Sequence, residues 1–331
     1  MTVSSLQNDE GLSYAAAGVD IDAYNRMLAK VRPAIEATFG PEVQAGVGPF
    51  SGLYKLADGS LLAASTDSVG TKVKVAIAAG RHDGIGHDLV NHCVNDIATA
   101  GAKPLFFLDY FAGAKLDESV FAAVVSGVAA ACREAGCALL GGETAEMPGL
   151  YALGDYDIAG FIVGLAREED VRDPARVRAG DLLVGLPSSG LHTNGFSLVR
   201  KVFEDVRLDH VYPELGLPLG EVLLAPHRSY LPELRELPWK AAAHITGGGL
   251  LENTPRALPE GLAARFDRSR WEVPPIFRLI QERGRVADEE MLGTFNLGLG
   301  MVLVMDPADA GSLPVVGEVV EQSGAQRVLF A

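Results

Sequence analysis

The sequence contains few of the features that mark secreted, membrane-bound or nucleic-acid-binding proteins. Its 331 residues include only three cysteines, which form neither a disulfide framework nor a zinc-binding pattern. No apolar stretch approaches the length of a membrane span, and the first residues lack the basic start and apolar region of a signal peptide. Lysine and arginine are scarce, 28 against 43 acids, and the net charge of −15 argues against nonspecific nucleic-acid binding. We therefore expect a cytoplasmic protein that binds neither membranes nor nucleic acids.

The chain is instead rich in apolar residues and long enough for more than one core. Hydrophobic residues make up 48% of it, which suffices for two domains. Strand and helix patterns are mixed in both halves, with a predicted helix at Pro307–Glu321 and a final strand at Arg327–Phe330, and they predict an α+β fold of two mixed α/β domains. The charged, proline-containing segment 167–180 marks the boundary. The predicted division is a flexible N-terminus at 1–12, an N-terminal domain at 13–168 and a C-terminal domain at 169–331.

The stretch Ser65–Lys74 is the first candidate for a ligand site. An apolar run before it predicts a short buried strand, and Asp67 lies where this strand ends. An acid in this position can hold a hard cation. Gly70 lets the backbone approach a ligand, and the side chains of Thr71 and Lys72 suit phosphate oxygens. A strand end with a solvated charge cluster is the alternative interpretation, and the spacing of a P-loop is absent.

A predicted helix at about 86–101 carries a second acid, Asp96. Its apolar face contains Leu89, Cys93 and Ile97, and Asp96 falls on the polar face. Polar residues on a helix usually face solvent. Asp96 gains interest only because Asp67 offers a second carboxylate, and we expect the two acids on one side of the folded molecule.

Glycine clusters follow two further predicted strands. The buried strand Cys137–Leu140 leads into Gly141–Glu143, a pattern that suits a nucleotide or metal site but also a plain turn. A later strand leads into Thr246–Gly249 and then a helix. Free backbone N–H groups at such a turn suit a phosphate, although glycine turns also serve packing.

The front segment Ser13–Asp22 is small in its side chains and mostly uncharged until its last acids. A frayed terminus is one interpretation. A lid that closes over a ligand is the other.

Taken together, these stretches resemble the phosphoribosylformylglycinamidine cyclo-ligases, also called aminoimidazole ribonucleotide synthetases. The resemblance covers nearly the whole chain. Its most specific motifs are Gly-Gly-Glu-Thr-Ala-Glu-Met-Pro at 141–148 and His-Ile-Thr-Gly-Gly-Gly at 244–249. One departure is Ser68, where the family usually has glycine. Selenophosphate synthetase and thiamine monophosphate kinase are related ATP-dependent families.

The resemblance implies a ligase of de novo purine biosynthesis that uses ATP and Mg²⁺. Such an enzyme closes formylglycinamidine ribonucleotide to 5-aminoimidazole ribonucleotide by phosphoryl activation of the formyl amide oxygen, and it releases ADP and phosphate. The resemblance also implies a homodimer, in which the N-terminal domain contributes strands to a barrel shared across the two subunits.

The resemblance further implies a set of site residues, which we state as expectations. The metal ligands are Asp67 and Asp96, and the candidate catalytic residues are Lys72, His192 and His244. The ATP-binding residues are expected to be Tyr14, Gly18, Asp20, Asp67, Gly70, Thr71, Lys72, Asp96, Gly141, Gly142 and Glu143. The substrate-binding residues are expected to be Asp109, His192, Asn194, Thr246, Gly247, Gly248 and Gly249.

Two other functions stay open at this point. A small-molecule kinase of the same superfamily would leave the phosphate on its product instead of releasing it. A non-catalytic nucleotide-binding subunit would bind ATP without turnover, although the intact Asp67, Lys72, Asp96 and Glu143 argue against the decay of a site.

Overall fold

The computed structural model describes residues 11–331, so most of the predicted flexible N-terminus lies outside the described residues. The first half of the described chain forms a six-stranded mixed sheet with the strand order β1-β2-β3-β6-β4-β5. Its strands are β1 (Val43–Ala45), β2 (Gly52–Lys55), β3 (Leu61–Ser68), β4 (Lys103–Gly113), β5 (Ala138–Glu146) and β6 (Tyr156–Ala166). Its helices are α1 (Ile21–Glu36), α2 (Lys72–Ala79), α3 (Ile85–Ala98) and α4 (Glu118–Ala135).

The second half forms another six-stranded sheet, with the strand order β12-β9-β11-β7-β10-β8. Its strands are β7 (Leu182–Pro187), β8 (Ala241–His244), β9 (Leu262–Phe266), β10 (Leu299–Met305), β11 (Val315–Glu321) and β12 (Val328–Phe330). Its helices are α5 (Phe196–Val202), α6 (Leu219–Leu223), α7 (Leu231–Glu236), α8 (Gly249–Asn253), α9 (Pro275–Gly284) and α10 (Asp288–Thr294). The predicted architecture of two mixed α/β halves is confirmed.

Helix α3 packs against one face of the first sheet and is buried along its whole length. Gly160 of β6 makes this approach close, because a Cβ there would lie 2.2 Å from a ring carbon of Phe107 and 3.1 Å from Leu89. Residues paired across neighbouring strands share a face of the sheet. Asp67, Gly160, Asp109 and Gly142 form one such row, so Asp67 and Asp109 lie on the α3 side, two strands apart.

The opposite face of the first sheet is apolar and partly open. Phe161 of β6 is 40% exposed, and Leu62, Leu108 and Tyr110 on the same face are only half-buried. A sheet with one open apolar face is typical of an interaction surface.

Two sequence predictions about secondary structure are wrong. Val315–Glu321, the second part of the predicted C-terminal helix, is strand β11, because its β-branched run pairs with β7 and β9. The strand predicted at Cys137–Leu140 starts one residue later and continues through Glu146, so the paired glycines lie inside a strand and not in a turn. Gly142 is required there, because a Cβ would lie 2.0 Å from the carbonyl oxygen of Asp109 on β4.

Within residues 11–331, no helix combines the length and the apolar character that crossing a membrane requires.

Candidate active site

The structure brings Asp67 and Asp96 together. Asp67 lies near the end of β3 and Asp96 in the last turn of α3, and their carboxyl groups lie close enough to interact electrostatically. The hydroxyl of Ser65 donates to Asp96 Oδ2 over 2.9 Å and fixes its orientation. The side chain of Asp67 is 29% exposed and that of Asp96 is 8% exposed, so Asp67 is the more accessible acid.

Both carboxyl groups hold their protons more tightly than an ordinary aspartate. Burial raises the pKa of Asp67 to about 7, and the neighbouring charge of Asp96 adds to this effect while His92 opposes it. Burial also raises the pKa of Asp96 to about 6. Two adjacent buried acids repel each other when both are ionised. A cation placed between them relieves this repulsion, which is why the pair is a candidate metal site.

Four buried histidines gather beside these acids at the junction of the two halves. His92 belongs to α3, His244 ends β8, and His192 and His227 lie on connecting segments of the second half. His244 Nδ1 lies 2.8 Å from Asp96 Oδ1, and His92 Nε2 lies 3.5 Å from Asp67 Oδ1. Burial lowers the pKa of His244 to about 3, so this imidazole is neutral at physiological pH.

Thr193 joins two of these histidines. Its hydroxyl oxygen lies 2.9 Å from His92 Nδ1 and 3.4 Å from His227 Nδ1. His227 Nε2 in turn lies 3.0 Å from His244 Nε2, so the imidazoles and both acids form one connected network. Sequence reasoning assigned no role to His92 or His227, because residues about 135 positions apart in the chain meet only in the fold.

His192 holds a strained backbone conformation, with φ of +60°. Its Nε2 accepts a hydrogen bond from the Ser189 backbone N–H over 3.2 Å, so in the neutral ring Nδ1 carries the hydrogen. Among the described residues, neither His192 Nδ1 nor the side-chain nitrogen of Asn194 finds a partner, although both are buried. Two unused donors only two residues apart in sequence suit an acceptor oxygen of a ligand.

Arg256 is the cation of this site that sequence reasoning did not single out. It follows α8 and lies over the ring of Phe50 at 4.1 Å. Its guanidinium donates to the carbonyl oxygens of Gly48 and Pro49 over 2.7 and 3.1 Å. Its charge acts on both acids, lowering the pKa of Asp96 and being itself stabilised by Asp96 and Asp67. A planar guanidinium near a carboxylate pair suits the oxygens of a phosphate.

Lys72 is completely buried. Its ammonium donates to Asp88 Oδ1 over 2.8 Å and to the carbonyl oxygen of Ala225 over 2.8 Å. The first turn of α2 directs the side chain inward between α3 and the segment around Ala225. Lys72 therefore connects the two halves of the chain, and its expected role beside a transferring phosphate stays a prediction.

The other residues expected at ATP lie at some remove from the acids. Asp20 caps α1 by accepting the Ala23 N–H over 2.7 Å, and Gly18 closes the preceding turn with φ of +97°. The backbone N–H of Tyr14 donates to Glu290 over 2.5 Å, so the front segment lies against the second half. Thr71, which follows Gly70 with its φ of +64°, contacts Ser197 of α5 over 3.1 Å.

Gly142 and Glu143, which are adjacent in β5, lie on opposite faces of the sheet. Gly142 lies beside Asp109, in the row that contains Asp67. Glu143 pairs with Tyr110 and is exposed on the open face, since neighbouring strand residues alternate between faces. Gly141 has φ of +142°, at the irregular register where β5 meets β4. The structure therefore separates Glu143 from Asp67 and Asp96 within one chain.

The Thr246–Gly249 turn lies beside Asn194. Its shape is fixed by Asn253, whose side-chain nitrogen donates to the carbonyl oxygens of Thr246, Gly247 and Gly249 over 3.2, 3.1 and 2.9 Å. A Cβ at Gly247 would lie 3.3 Å from Asn194 Oδ1, so these two expected substrate residues are neighbours. The helix that follows, α8, has only five residues.

An open cleft of about 580 Å³ runs alongside this site and not through it. Its lining includes Ala16 of the front segment, Lys74 of α2, and Ser197 and Arg200 of α5. The cleft therefore adjoins the Thr71–Ser197 contact, on the same side as the residues expected at ATP.

The carboxylates on the outer side of this site are suitable ligands for Mg²⁺. Mg²⁺ in nucleotide sites is usually bound through one or two carboxylates together with phosphate oxygens. Asp67 and Asp96 offer adjacent carboxylates, and Arg256 offers a partner for phosphate. The imidazoles behind them are not typical Mg²⁺ ligands.

Comparison with protein families covers most of the chain. Residues 49–166 match the family described as AIR synthase related protein, N-terminal domain, and residues 178–327 match the corresponding C-terminal domain. A phosphoribosylformylglycinamidine cyclo-ligase from Desulfitobacterium hafniense is 52% identical over 307 residues, which are 90% of this chain and 91% of that protein. The enzyme of the same name from Nitrosospira multiformis is 48% identical over 332 residues, covering 97% and 94% of the two chains.

Among solved structures, AaThiL complexed with AMPPCP and TMP is similar, with a TM-score of 0.63 and 15% identity over 94% of this chain and 93% of that one. This likeness supports the fold. The sequence identity to the curated enzymes and the two family matches place the chain more narrowly, and the chain belongs to the phosphoribosylformylglycinamidine cyclo-ligase family.

Proposed function

We propose that this chain uses ATP and Mg²⁺ to close formylglycinamidine ribonucleotide to 5-aminoimidazole ribonucleotide in de novo purine biosynthesis, with release of ADP and phosphate. The observation that carries the proposal is the meeting of Asp67 and Asp96 at the junction of the two sheets, with Arg256 over the ring of Phe50, which neighbours the ring of His244. The curated relatives at about half identity carry the name of this reaction.

The chemistry explains why such a site needs charge neutralisation. An amide oxygen is a poor leaving group, and transfer of the γ-phosphoryl group of ATP onto it gives an iminophosphate. A nitrogen of the substrate then attacks the carbon, and phosphate departs. Phosphoryl transfer depends mainly on positioning and on neutralising the phosphate oxygens. Mg²⁺, when held by Asp67 and Asp96, supplies part of that neutralisation.

Arg256 can fill the role that we also expect of Lys72. Its fork is held open by the carbonyl oxygens of Gly48 and Pro49, so its position is fixed before a ligand arrives. A preorganised guanidinium can contact phosphate oxygens without a further loss of side-chain freedom.

The unused donors of His192 and Asn194 are our candidates for contacts with the ribonucleotide. His192 Nδ1 and the Asn194 amide nitrogen lack partners among the described residues, and Asn194 adjoins Gly247. We propose that Thr246, Gly247, Gly248 and Gly249 contact the substrate phosphate, and that Asp109 lies near the substrate. His244 is neutral and positions Asp96 instead of acting as an acid.

The remaining ATP contacts stay predictions: Tyr14, Gly18, Asp20, Gly70, Thr71, Gly141, Gly142 and Glu143. We propose that the front segment closes over ATP and excludes water, because water would hydrolyse the activated amide.

We also propose a homodimer and a cytoplasmic location. The open apolar face around Phe161 supports a barrel shared across two subunits, since this face needs a partner to exclude water. Glu143 lies on that face, so in the proposed dimer it would lie at the interface with the second subunit. The domain boundary stays at 168/169, between the two sheets.

The decisive experiment mixes purified protein with ATP, Mg²⁺ and formylglycinamidine ribonucleotide. The proposal predicts equal amounts of ADP, free phosphate and a diazotisable aminoimidazole. Phosphate retained on the organic product would identify a kinase instead. Nucleotide binding without any turnover would identify a non-catalytic subunit.

A further inference from the structure

Histidine nitrogens, a second kind of metal ligand, lie on the inner side of the carboxylate pair. One nitrogen of His92, one nitrogen of His244 and one oxygen of Asp96 lie within 4.8 Å of one another, and all three residues are buried. Asp67 Oδ1 lies 3.5 Å from His92 Nε2. Two imidazoles and one carboxylate therefore converge on one small volume, and a second carboxylate adjoins it.

This donor set has the composition of a zinc-type site. Mg²⁺ prefers oxygen ligands in octahedral geometry and keeps much of its water, whereas imidazole nitrogen favours Zn²⁺ and Co²⁺. Tetrahedral Zn²⁺ with bonds of about 2.0–2.2 Å holds its ligand atoms roughly 3.3 Å apart.

Each ligand is also supported from behind, as in established metal centres. His92 Nδ1, the nitrogen that faces away from Asp67, lies 2.9 Å from the hydroxyl of Thr193. His244 Nε2, which faces away from Asp96, lies 3.0 Å from His227 Nε2. Asp96 Oδ2 accepts the hydroxyl of Ser65. Metal-binding histidines almost always have their second nitrogen held in this way.

The imidazoles are in the protonation state that metal binding needs. Burial lowers the pKa of His92 and that of His244, so both rings are neutral at physiological pH. Neutral imidazole offers a lone pair to a cation without first losing a proton to solvent.

A second triad, formed by His192, His227 and His244, fits less well, although its ligand atoms also lie within 4.8 Å. The rings of His192 and His227 stack with centroids 3.9 Å apart and an interplanar angle of 20°. An ion bound in the plane of one ring would lie outside the plane of the other. The Ser189 N–H also occupies the Nε2 lone pair of His192.

We propose that His92, His244 and Asp96 bind one divalent ion of the Zn²⁺ and Co²⁺ class. The ligands come from α3 in the first half and from β8 in the second, so the ion ties the two halves together. It also occupies Asp96, one of the two carboxylates assigned to Mg²⁺. Zn²⁺ therefore inhibits ring closure in competition with Mg²⁺–ATP, a consequence that rests on the proposed function.

The test starts from full-length protein freed of metal with a chelator. Equilibrium dialysis is expected to give one Zn²⁺ per chain, and Co²⁺ is expected to give the intense visible bands of a tetrahedral ion. His92→Gln and His244→Gln should each weaken Zn²⁺ binding at least ~10-fold, since even supporting groups contribute 10–100-fold. His210→Gln is the matched control, because His210 is exposed and contacts Tyr212; it should leave Zn²⁺ binding unchanged.

A milder variant covers the case in which a ligand substitution prevents folding. Thr193→Val keeps every ligand and removes the hydroxyl that supports His92 Nδ1 and contacts His227 Nδ1, and it should weaken Zn²⁺ binding about 10-fold. Zn²⁺ should also raise the thermal midpoint of the unsubstituted protein, and Thr193→Val should reduce that shift.

Three results would overturn the inference: equal Zn²⁺ affinity in the unsubstituted protein, His92→Gln and Thr193→Val; an octahedral Co²⁺ spectrum; or an equal loss in His210→Gln. Ring closure with Mg²⁺–ATP in a protein that binds no Zn²⁺ would reject this inference and leave the proposed function standing. One tightly bound Zn²⁺ in a protein that does not close the ring would support this inference and reject the proposed function.

Discussion

Two acids on the same helix, Asp88 and Asp96, have opposite surroundings. They lie about two turns apart on α3, and both are buried where the two halves of the chain meet. Asp88 Oδ1 receives the ammonium of Lys72 over 2.8 Å and the backbone N–H of His227 over 2.7 Å. Asp96 instead faces another acid, Asp67, and neutral histidine.

The difference separates a structural charge pair from a binding site. A buried carboxylate that has its own cation needs no ligand, although removing that cation leaves a costly charge behind. Two adjacent carboxylates with raised pKa values are incomplete until a cation arrives. From the sequence, a lysine could pair with either acid. Only the burial and the distances in the structure show which acid already has its own cation.

The largest expected effect is on the structural pair. Lys72→Met should lower the free energy of unfolding by about 3–5 kcal/mol, because Asp88 is left charged and buried. The double variant Lys72→Met, Asp88→Asn should recover part of this loss in urea denaturation. Normal stability of Lys72→Met together with a slow phosphoryl transfer would return Lys72 to the catalytic site and break the comparison.

The second-largest effect is expected on the activity of variants of Asp67 and Asp96. Asp67→Asn and Asp96→Asn should each reduce kcat by about 10²–10³-fold, the size seen when one electrostatic contact to a transition state is lost. Neither should lower stability much, because each removes a repulsion. Asp209→Asn is the control, since Asp209 is an exposed acid paired with Arg207. Full activity of both site variants in single-turnover assays would remove the assignment.

A smaller effect is expected at Arg256. Arg256→Lys keeps the charge and loses the planar fork, so we expect kcat/KM for ATP to fall about 10-fold. Steady-state kinetics at saturating ribonucleotide measures it. Arg265→Lys, which changes a surface residue paired with Glu318, should leave kcat/KM unaltered, and an equal fall in both variants would argue against a phosphate contact.

The smallest effect concerns pH. Burial raises the pKa of Asp67 from its ordinary 3.8 to about 7. Between these values the native protein holds a proton that the unfolded chain has released, so the contribution of Asp67 to stability falls as the pH rises from about 4 to 7. Relative to Asp67→Asn, the unsubstituted protein should lose about 1–2 kcal/mol across this window in the presence of a chelator. A pH-independent difference would show that Asp67 is not buried against Asp96.

Much of the fold could be read from local patterns. In the first half, the apolar periodicity of segment 86–101 predicted α3 closely, and the apolar run before Asp67 predicted β3. The Pro307–Glu321 helix failed because the valines of its second half pair with two strands that lie far away in sequence. Tertiary pairing decided that segment, and no local pattern contains it.

The site could be predicted only in part, for the same reason. Asp67 and Asp96 were assigned to the metal because the family resemblance implied it, and Asp67 also lies at the end of a predicted strand. The polar face of α3 was expected to meet solvent, yet it meets the second half of the chain. His92, His227 and Arg256 therefore received no role, and the buried ion pair of Lys72 with Asp88 was not foreseen.

The most direct test of the account is the Mg²⁺ dependence of nucleotide affinity. Titration calorimetry with AMPPCP should show binding at least ~10-fold tighter with Mg²⁺ than without it in the unsubstituted protein, and no such difference in the double variant Asp67→Asn, Asp96→Asn. If the double variant keeps the full Mg²⁺ dependence, the two acids do not hold the metal–nucleotide complex, and the account is wrong at its centre.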